Sequence, residues 1–114
     1  MRLRHTAVAA IGALALTLTL STSAYAAVGD FVYSYTGPDG SIQTSRLVDP
    51  ASQVCHTLPE AADEDTSTPA HSPSNLTNAT VTVFTGAECD GESFTLQPGA
   101  QASERLKLRS AFFS

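Results

Sequence analysis

Short stretches of alternating apolar and polar residues recur along the chain, and turn-forming residues separate them. In FVYSY (31–35) aromatic residues occupy every second position, and β-compatible stretches follow at 41–48, 53–58, 79–85, 92–96 and 105–113. Segments that contain Gly and Pro lie between them, as at 36–40 and 97–100. Because successive side chains of a strand point to opposite faces, this pattern predicts about six short strands and no amphipathic helix. The predicted fold class is all-β, a small antiparallel sandwich or barrel.

One segment, residues 60–74, interrupts this pattern because it lacks large apolar residues. It contains the acidic triplet DED (63–65) and two prolines, Pro69 and Pro73. A segment that buries little apolar surface cannot offset the entropy lost on ordering, so we expect a mobile surface loop. Carboxylates suit calcium, but adjacent side chains in a flexible loop do not form a cage and lack the spacing of an EF-hand. A solvated loop is therefore favoured over a metal site.

The first 26 residues have the three parts of an export signal in the right order. Two arginines precede an uncharged apolar run (8–20), and AYA (24–26) ends the segment. The run is too short to cross a bilayer, which takes about 20 residues. It predicts a signal peptide cleaved after Ala26 and a single domain, 27–114, that does not stay in the membrane.

Removal of this signal changes the charge of the chain. The remaining 88 residues keep four of the six basic residues and all eleven acidic ones, so the formal charge is −7 instead of −5. Such an acidic domain is unsuited to binding nucleic acid. Its size also excludes a large cofactor-binding fold.

Export would place the two cysteines, Cys55 and Cys89, in an oxidising compartment. They are the only cysteines in the chain, so they can pair in only one way, and we expect a structural disulfide. The histidines lack the spacing of zinc ligands, and an exposed free thiol would not persist outside the cell. The sequence thus predicts a secreted, extracellular protein stabilised by one disulfide.

The segment FTGAECDG (84–91) resembles the folded-hairpin signature of βγ-crystallin-type Greek-key domains. That signature has an aromatic residue, four further residues, usually a second aromatic, one residue and then glycine. Phe84 and Gly91 match its two ends, and Cys89 takes the position of the second aromatic. Glycine suits the last position because a tightly folded hairpin needs a residue that tolerates positive φ.

Two further segments extend this resemblance. Ser110 lies in LRSAF (108–112), which resembles the later strand of such domains, where a serine precedes an apolar run. Tyr33 and Gly40 keep the aromatic residue and the glycine of a first, looser copy. The chain after residue 26 is also similar to small exported single-disulfide proteins of filamentous actinobacteria. The resemblance implies a βγ-crystallin-like Greek-key fold.

Calcium sites of the crystallin type follow the pattern D/N-D/N-x-x-S/T-S. In residues 105–110 only Ser110 matches it, because Arg105 and Leu106 replace the first two ligands and Arg109 replaces the hydroxyl ligand. Cationic side chains repel Ca²⁺ and cannot ligate it. We therefore expect no calcium at this motif, and no metal site or cofactor elsewhere.

Three basic residues, Arg105, Lys107 and Arg109, recur at alternate positions near the C terminus. In one continuous strand they would share a face and form a basic ridge on an acidic domain. This ridge is a candidate surface for an anionic partner. The alternative, which we favour, is a solvated face that the protein's own acids neutralise and that protects a terminal strand from edge pairing.

The histidines that follow the signal, His56 and His71, offer no catalytic constellation in the sequence. A triad needs a nucleophile and an orienting acid beside the histidine, and no serine lies in a nucleophile-elbow motif. No pair of carboxylates is fixed at the separation of a glycosidase. We expect no catalytic residues and no enzymatic activity, with a small hydrolase as a distant alternative.

The function that we expect is recognition or structural support by a small, secreted, monomeric module. Its partner would be an extracellular protein or an anionic wall polymer, contacted through the turn Gly37–Ser41, the loop 60–74 or the basic ridge. One alternative is a secreted protease inhibitor, which would insert a rigid loop into a protease cleft. Another is a killer-toxin-like antimicrobial protein, but a charge of −7 disfavours attack on anionic membranes.

Overall fold

The structure is a computed structural model that describes residues 26–114. The predicted signal peptide lies outside the described residues except for Ala26. Within 26–114 the chain forms a 3-10 helix, Pro59–Ala61, and eight strands: β1 (Gly29–Thr36), β2 (Ile42–Val48), β3 (Cys55–Thr57), β4 (Ala70–Thr77), β5 (Val81–Phe84), β6 (Ser93–Leu96), β7 (Lys107–Leu108) and β8 (Ser110–Phe113). In this part of the chain no helix has the length and apolar character needed to cross a membrane. The all-β prediction is confirmed.

The strands form two antiparallel sheets of four strands each. Their orders are β2-β1-β4-β7 and β3-β8-β5-β6. The first half of the chain, β1 to β4, gives three strands to one sheet and β3 to the other. The second half, β5 to β8, gives three strands to the other sheet and β7 to the first. Because β3 and β7 are exchanged in this way, neither sheet is complete without both halves.

The two sheets enclose one hydrophobic core. Phe31 and Tyr33 project inward from β1 because they occupy alternate positions of the strand. The ring of Phe31 meets the ring of Phe113 from the opposite sheet edge to face, with 5.5 Å between their centroids. The other residues of this core are Ala27, Leu58, Ala61, Ala70, Val81, Val83, Leu96, Leu108 and Ala111. Burial of this apolar surface is the main force that holds the sheets together.

Strand β4 corrects the prediction of a continuous loop over 60–74. Its sequence, AHSPSNLT, has no apolar alternation, yet it pairs with β1. The register shifts opposite Tyr33, where Ser72 and Pro73 face a single residue and Ser72 has a φ of 54°. A bulge tolerates proline because the local ladder does not require its missing N–H group. Pairing of the backbone, which an apolar pattern does not reveal, holds this strand in the sheet.

The buried residue Asn75 joins β4 to the other sheet. Its Nδ2 donates hydrogen bonds to the carbonyl oxygens of Ala79 and Leu96 at 2.8 and 3.1 Å, and its Oδ1 accepts one from the Thr77 hydroxyl at 2.7 Å. A buried amide is tolerated when its donors and acceptor are paired in this way. Asn75 therefore fixes the connection between β4 and β5.

Residues 105–113 also differ from the sequence-based prediction, which made them one strand. β7 pairs with β4 in the first sheet and β8 pairs with β5 in the second, so the chain changes sheets at Arg109. Arg105 and Lys107 are exposed, whereas Arg109 is buried. The predicted basic ridge is therefore wrong in its geometry, because the change of sheet turns Arg109 away from the other two cations.

The predicted Cys55–Cys89 disulfide is present, with 5.9 Å between the two Cα atoms. It joins the edge strand β3 to the hairpin between β5 and β6, and β8 lies between β3 and β5 in the sheet. The bond closes a loop with a sequence separation of 34. It thereby ties the exchanged strand β3 to the second half of the chain.

Replacement of both cysteines, Cys55→Ala with Cys89→Ala, should lower the free energy of unfolding by roughly 3 to 4 kcal/mol, because it releases a closed loop in the unfolded state. Urea denaturation of the oxidised wild type and the double variant measures this loss. The single variants serve as controls and should lose a similar amount. A double variant within about 1 kcal/mol of the wild type would contradict a stabilising role for the bond.

Candidate functional site

A groove of about 560 Å³ lies at one end of the sandwich, between the β1–β2 hairpin and residues 60–68. We call it the hairpin groove and call residues 60–68 the anchored segment. The lining residues are Tyr35, Thr36, Gly37 and Pro38 from the hairpin, with Glu60, Thr66, Ser67 and Thr68 from the anchored segment. Two of the three segments nominated from the sequence, the turn 37–41 and the loop 60–74, thus meet at one place.

The hairpin wall of the groove is a closed turn. Gly37 N–H donates to the carbonyl oxygen of Ser41 at 2.8 Å, and Gly40 has a φ of 86°. Asp39 Oδ1 accepts hydrogen bonds from the Ser41 hydroxyl at 2.7 Å and from its N–H at 3.0 Å. The Ser41 hydroxyl lowers the pKa of Asp39, so this carboxylate stays an ionised acceptor. These bonds fix the turn by local chemistry alone.

The opposite wall is held from below by the buried guanidinium of Arg109. Its Nη1 donates to the carbonyl oxygens of Ala61 and Asp63 at 3.0 and 3.3 Å and to the Ser67 hydroxyl at 3.1 Å. Its Nη2 donates to the Ser67 carbonyl oxygen at 2.9 Å. Hydrogen bonds from a charged donor are stronger than neutral ones, and a planar fork can reach several acceptors. Arg109 therefore connects the segment that the sequence presents as a free loop to the core.

The acids of the anchored segment accept hydrogen bonds from the protein's own chain. Glu64 Oε2 accepts from the N–H of Ala87 at 2.8 Å, and Asp63 Oδ1 accepts from the N–H of Asp65 at 2.9 Å. The hydroxyl of Thr66 lowers the pKa of Asp63. Within residues 26–114 no three His, Cys, Asp or Glu side chains are grouped as a metal site would require.

Glu60 lines the hairpin groove. Its Oε1 accepts a hydrogen bond of 2.7 Å from the hydroxyl of Tyr33, whose ring is part of the core. Burial raises the pKa of Tyr33 above its usual range, and the bond to Glu60 adds to this rise against an opposing effect of Ser45. The hydroxyl therefore remains a donor at neutral pH and holds one carboxylate oxygen of Glu60 in place.

A second groove of about 440 Å³ adjoins the first, and the two share Thr36 and Thr68. Lys107 and Glu104 line it, and Lys107 Nζ donates to the carbonyl oxygen of Glu104 at 2.7 Å. Of the three residues of the predicted ridge, Lys107 thus faces this groove, Arg105 is exposed elsewhere on the surface, and Arg109 is buried beneath the anchored segment.

The two histidines within residues 26–114, His56 and His71, make short-range contacts. His71 Nδ1 lies 2.9 Å from the hydroxyl oxygen of its neighbour Ser72, and His56 Nε2 lies 2.8 Å from the carbonyl oxygen of Ala51. No carboxylate within residues 26–114 is hydrogen-bonded to either ring. The third member of a catalytic triad is therefore not in place in this part of the chain.

The residues proposed as fold motifs lie away from the hairpin groove. Ser110 Oγ donates to the carbonyl oxygen of Gly86 at 2.6 Å and accepts from the N–H of Cys89 at 2.9 Å. Gly91 has a φ of 82°, and a Cβ there would collide with the Thr85 hydroxyl. Phe84 is opposite Ser110 in the pairing of β5 with β8. These contacts fold the β5–β6 hairpin over β8.

Sequence reasoning missed the two residues that give the groove most of its chemistry. The sequence presents Tyr35 only as a strand residue and Glu60 only as part of an acidic segment. Neither lies in a motif, so no sequence signal marks them.

Comparisons of the chain with protein-family models, with curated proteins and with solved structures find no match.

Replacement of Arg109 by alanine should lower the free energy of unfolding by at least about 2 kcal/mol, because it removes the donors that hold the anchored segment. Arg109→Lys should lose part of this amount, since an ammonium group cannot reach all four acceptors. Urea denaturation measures the losses. The matched control is Arg105→Ala, which removes an exposed cation and should cost less than about 0.5 kcal/mol. Equal losses for Arg109→Ala and Arg105→Ala would contradict the anchoring role.

Proposed function

We propose that this chain is a small, secreted, non-enzymatic recognition module that binds an extracellular protein through the hairpin groove. One observation carries the proposal: internal hydrogen bonds fix both walls of the groove. The turn is closed by Asp39 and Ser41, and the anchored segment is held by Arg109. A surface that is ordered before binding loses less conformational entropy on association.

The chemistry of the groove favours a partner segment that donates hydrogen bonds. Its lining includes the carboxylate of Glu60, several hydroxyl groups and the ring of Tyr35. Side chains with hydroxyl, amide or ammonium groups suit such a surface. The acidity of the chain adds attraction for a basic partner. An anionic wall polymer fits less well, because burial of Arg109 removes one cation from the proposed ridge.

Two features support a location outside the cell. The Cys55–Cys89 disulfide favours an oxidising compartment. Residues 1–26 have the order of charge, apolar run and small residues that is typical of an export signal. The proposed form of the protein is therefore the chain that begins at Ala27.

We also propose that the fold is a βγ-crystallin-type Greek key. The exchange of β3 and β7 between the two sheets supports it, because it makes two four-strand units that complete each other. The hydrogen bonds of Ser110 to the β5–β6 hairpin and the positive φ of Gly91 give the signature residues physical roles. This assignment concerns the scaffold, and a scaffold does not determine a function.

The contacts of the anchored segment favour one second candidate, a protease inhibitor. Residues 62–66 are exposed, while Arg109 holds the chain at Ala61 and Ser67 on either side of them. An inhibitory loop needs such rigidity, because a flexible loop would be cleaved and released. The sequence alone shows nothing that would hold this segment in place, and the hydrogen bonds of Arg109 supply such an anchor.

Obstruction of the groove should weaken binding of the partner. The immobilised chain 27–114 is used to capture proteins from culture supernatant and from cell-wall extracts, and the captured protein is then titrated against variants. Thr68→Trp, which fills the groove, should weaken binding at least about tenfold. The matched control is Thr95→Trp, an exposed threonine on β6, which should bind like the wild type.

Each outcome of this titration bears on the proposal. Equal binding by Thr68→Trp and the wild type would overturn the groove as the binding surface. Capture of a protease whose activity falls on binding would favour the inhibitor. Turnover of a captured molecule by the wild type would overturn the non-enzymatic assignment.

A further inference from the structure

Strand β2 is a long edge strand with one free side. Among residues 26–114 four strands lie at sheet edges, namely β2, β3, β6 and β7, and β2 is the longest with seven residues. Proteins usually protect such an edge with charged side chains, especially lysine, with proline or with a bulge. The sequence IQTSRLV contains no lysine or proline, its one charged residue, Arg46, is paired with Asp30 of β1, and its pairing with β1 is regular from Ile42 to Val48. This edge is therefore open to another strand.

The outward-facing backbone groups of β2 can be identified from the bonds at the two ends of the β1–β2 hairpin. Gly37 N–H donates to Ser41, and Asp49 N–H donates to Gly29, both at 2.8 Å. Bonded pairs alternate along an antiparallel ladder, so the odd-numbered residues of β2 bond to β1. The even-numbered residues direct their N–H and C=O groups outward: Ile42, Thr44, Arg46 and Val48.

Two exposed apolar side chains lie at the ends of this edge. Ile42 is 62% exposed and Val48 is 64% exposed, and both project from the outer face of the sheet. Each lies three residues from Ser45, so the edge is symmetric about that residue. Arg46, the one charged residue of β2, forms an ion pair of 3.1 Å with Asp30 of β1.

We propose that two copies of the chain pair through β2, antiparallel and about a twofold axis at Ser45. In this register Ile42 lies opposite Val48 of the second copy, and Thr44 lies opposite Arg46 of the second copy. Every outward N–H and C=O group of β2 is then bonded, and both exposed apolar side chains are covered. The two β2-β1-β4-β7 sheets become one continuous sheet with a self-complementary interface.

Other registers satisfy fewer groups. A shift by one residue places outward groups opposite groups that already bond to β1. A twofold axis at Thr44 would leave Val48 uncovered and would place Ile42 opposite Arg46 of the second copy. Centring it on Arg46 sets two arginines against each other, and like charges directly opposite are destabilising. A peptide of another protein could use the same backbone groups, but the symmetry about Ser45 gives the second copy a specific match.

The proposed dimer differs from the sequence-based expectation of a monomer and goes beyond the proposed function. Edge pairing of one strand makes a small interface, so we expect a dissociation constant on the order of 0.1 mM. The hairpin groove lies off this edge, because none of its lining residues belongs to β2. A dimer would present two grooves to one partner and raise its avidity.

Analytical ultracentrifugation of the chain 27–114 between about 10 µM and 1 mM tests the proposal. The wild type should approach dimer mass at the highest concentration. Ile42→Lys with Val48→Lys sets like charges opposite each other and should weaken the dimer at least about tenfold. Ile42→Lys with Val48→Glu sets opposite charges against each other and should restore it. The control variant Val54→Lys with Phe94→Lys adds the same charge at exposed residues outside β2.

The outcomes separate local from general effects. Added lysines make an acidic chain less self-repelling, so loss of the dimer only in the β2 variant must come from the interface. Thr44→Pro, which removes one outward N–H group, should also yield a monomer, with folding checked by its thermal transition. A wild type that stays monomeric to 1 mM would overturn the proposal. A dimer that survives both Thr44→Pro and the paired lysines would overturn it as well.

Discussion

The buried guanidinium of Arg109 needs hydrogen-bond acceptors, and the candidate site depends on how the chain supplies them. A buried charge is costly unless its donors are paired. Here the acceptors are carbonyl and hydroxyl oxygens of Ala61, Asp63 and Ser67, so an otherwise polar loop is drawn onto the sandwich. The same loop forms one wall of the hairpin groove. Arg109 does not line the groove, but its need for hydrogen-bond acceptors determines where this wall lies.

The topology determines where that charge lies. Because β7 and β8 belong to different sheets, the chain crosses between the sheets at Arg109, where a side chain can turn inward. The exchange of β3 and β7 makes each sheet depend on both halves of the chain. The disulfide reinforces this dependence by joining β3 to the β5–β6 hairpin. The two halves of the chain therefore cannot separate independently, and a modest core can support long connections between the strands.

The strand pattern of the sequence was sufficient for the all-β class and for the disulfide, because alternation and cysteine pairing are local or unambiguous signals. It was not sufficient for β4, which pairs with β1 around a bulge and has no alternation of apolar residues. It also missed the break at Arg109, which becomes visible only in the burial pattern of the structure. The buried residue Leu108 is even-numbered, whereas Ala111 and Phe113 are odd-numbered, and this change of parity marks the end of one strand and the start of another. The groove residues Tyr35 and Glu60 come together only through the topology.

Amide hydrogen exchange across the anchored segment tests most directly whether it is a fixed surface. The N–H groups of Ala61 and Ser67 donate to the carbonyl oxygens of Leu58 and Asp63 at 3.0 and 2.9 Å. If Arg109 holds the segment, both amides should exchange at least about a hundredfold more slowly than in an unstructured peptide. Exchange of both amides at the unstructured rate would mean that residues 60–68 form the mobile loop that their composition predicts, and it would contradict a preformed groove.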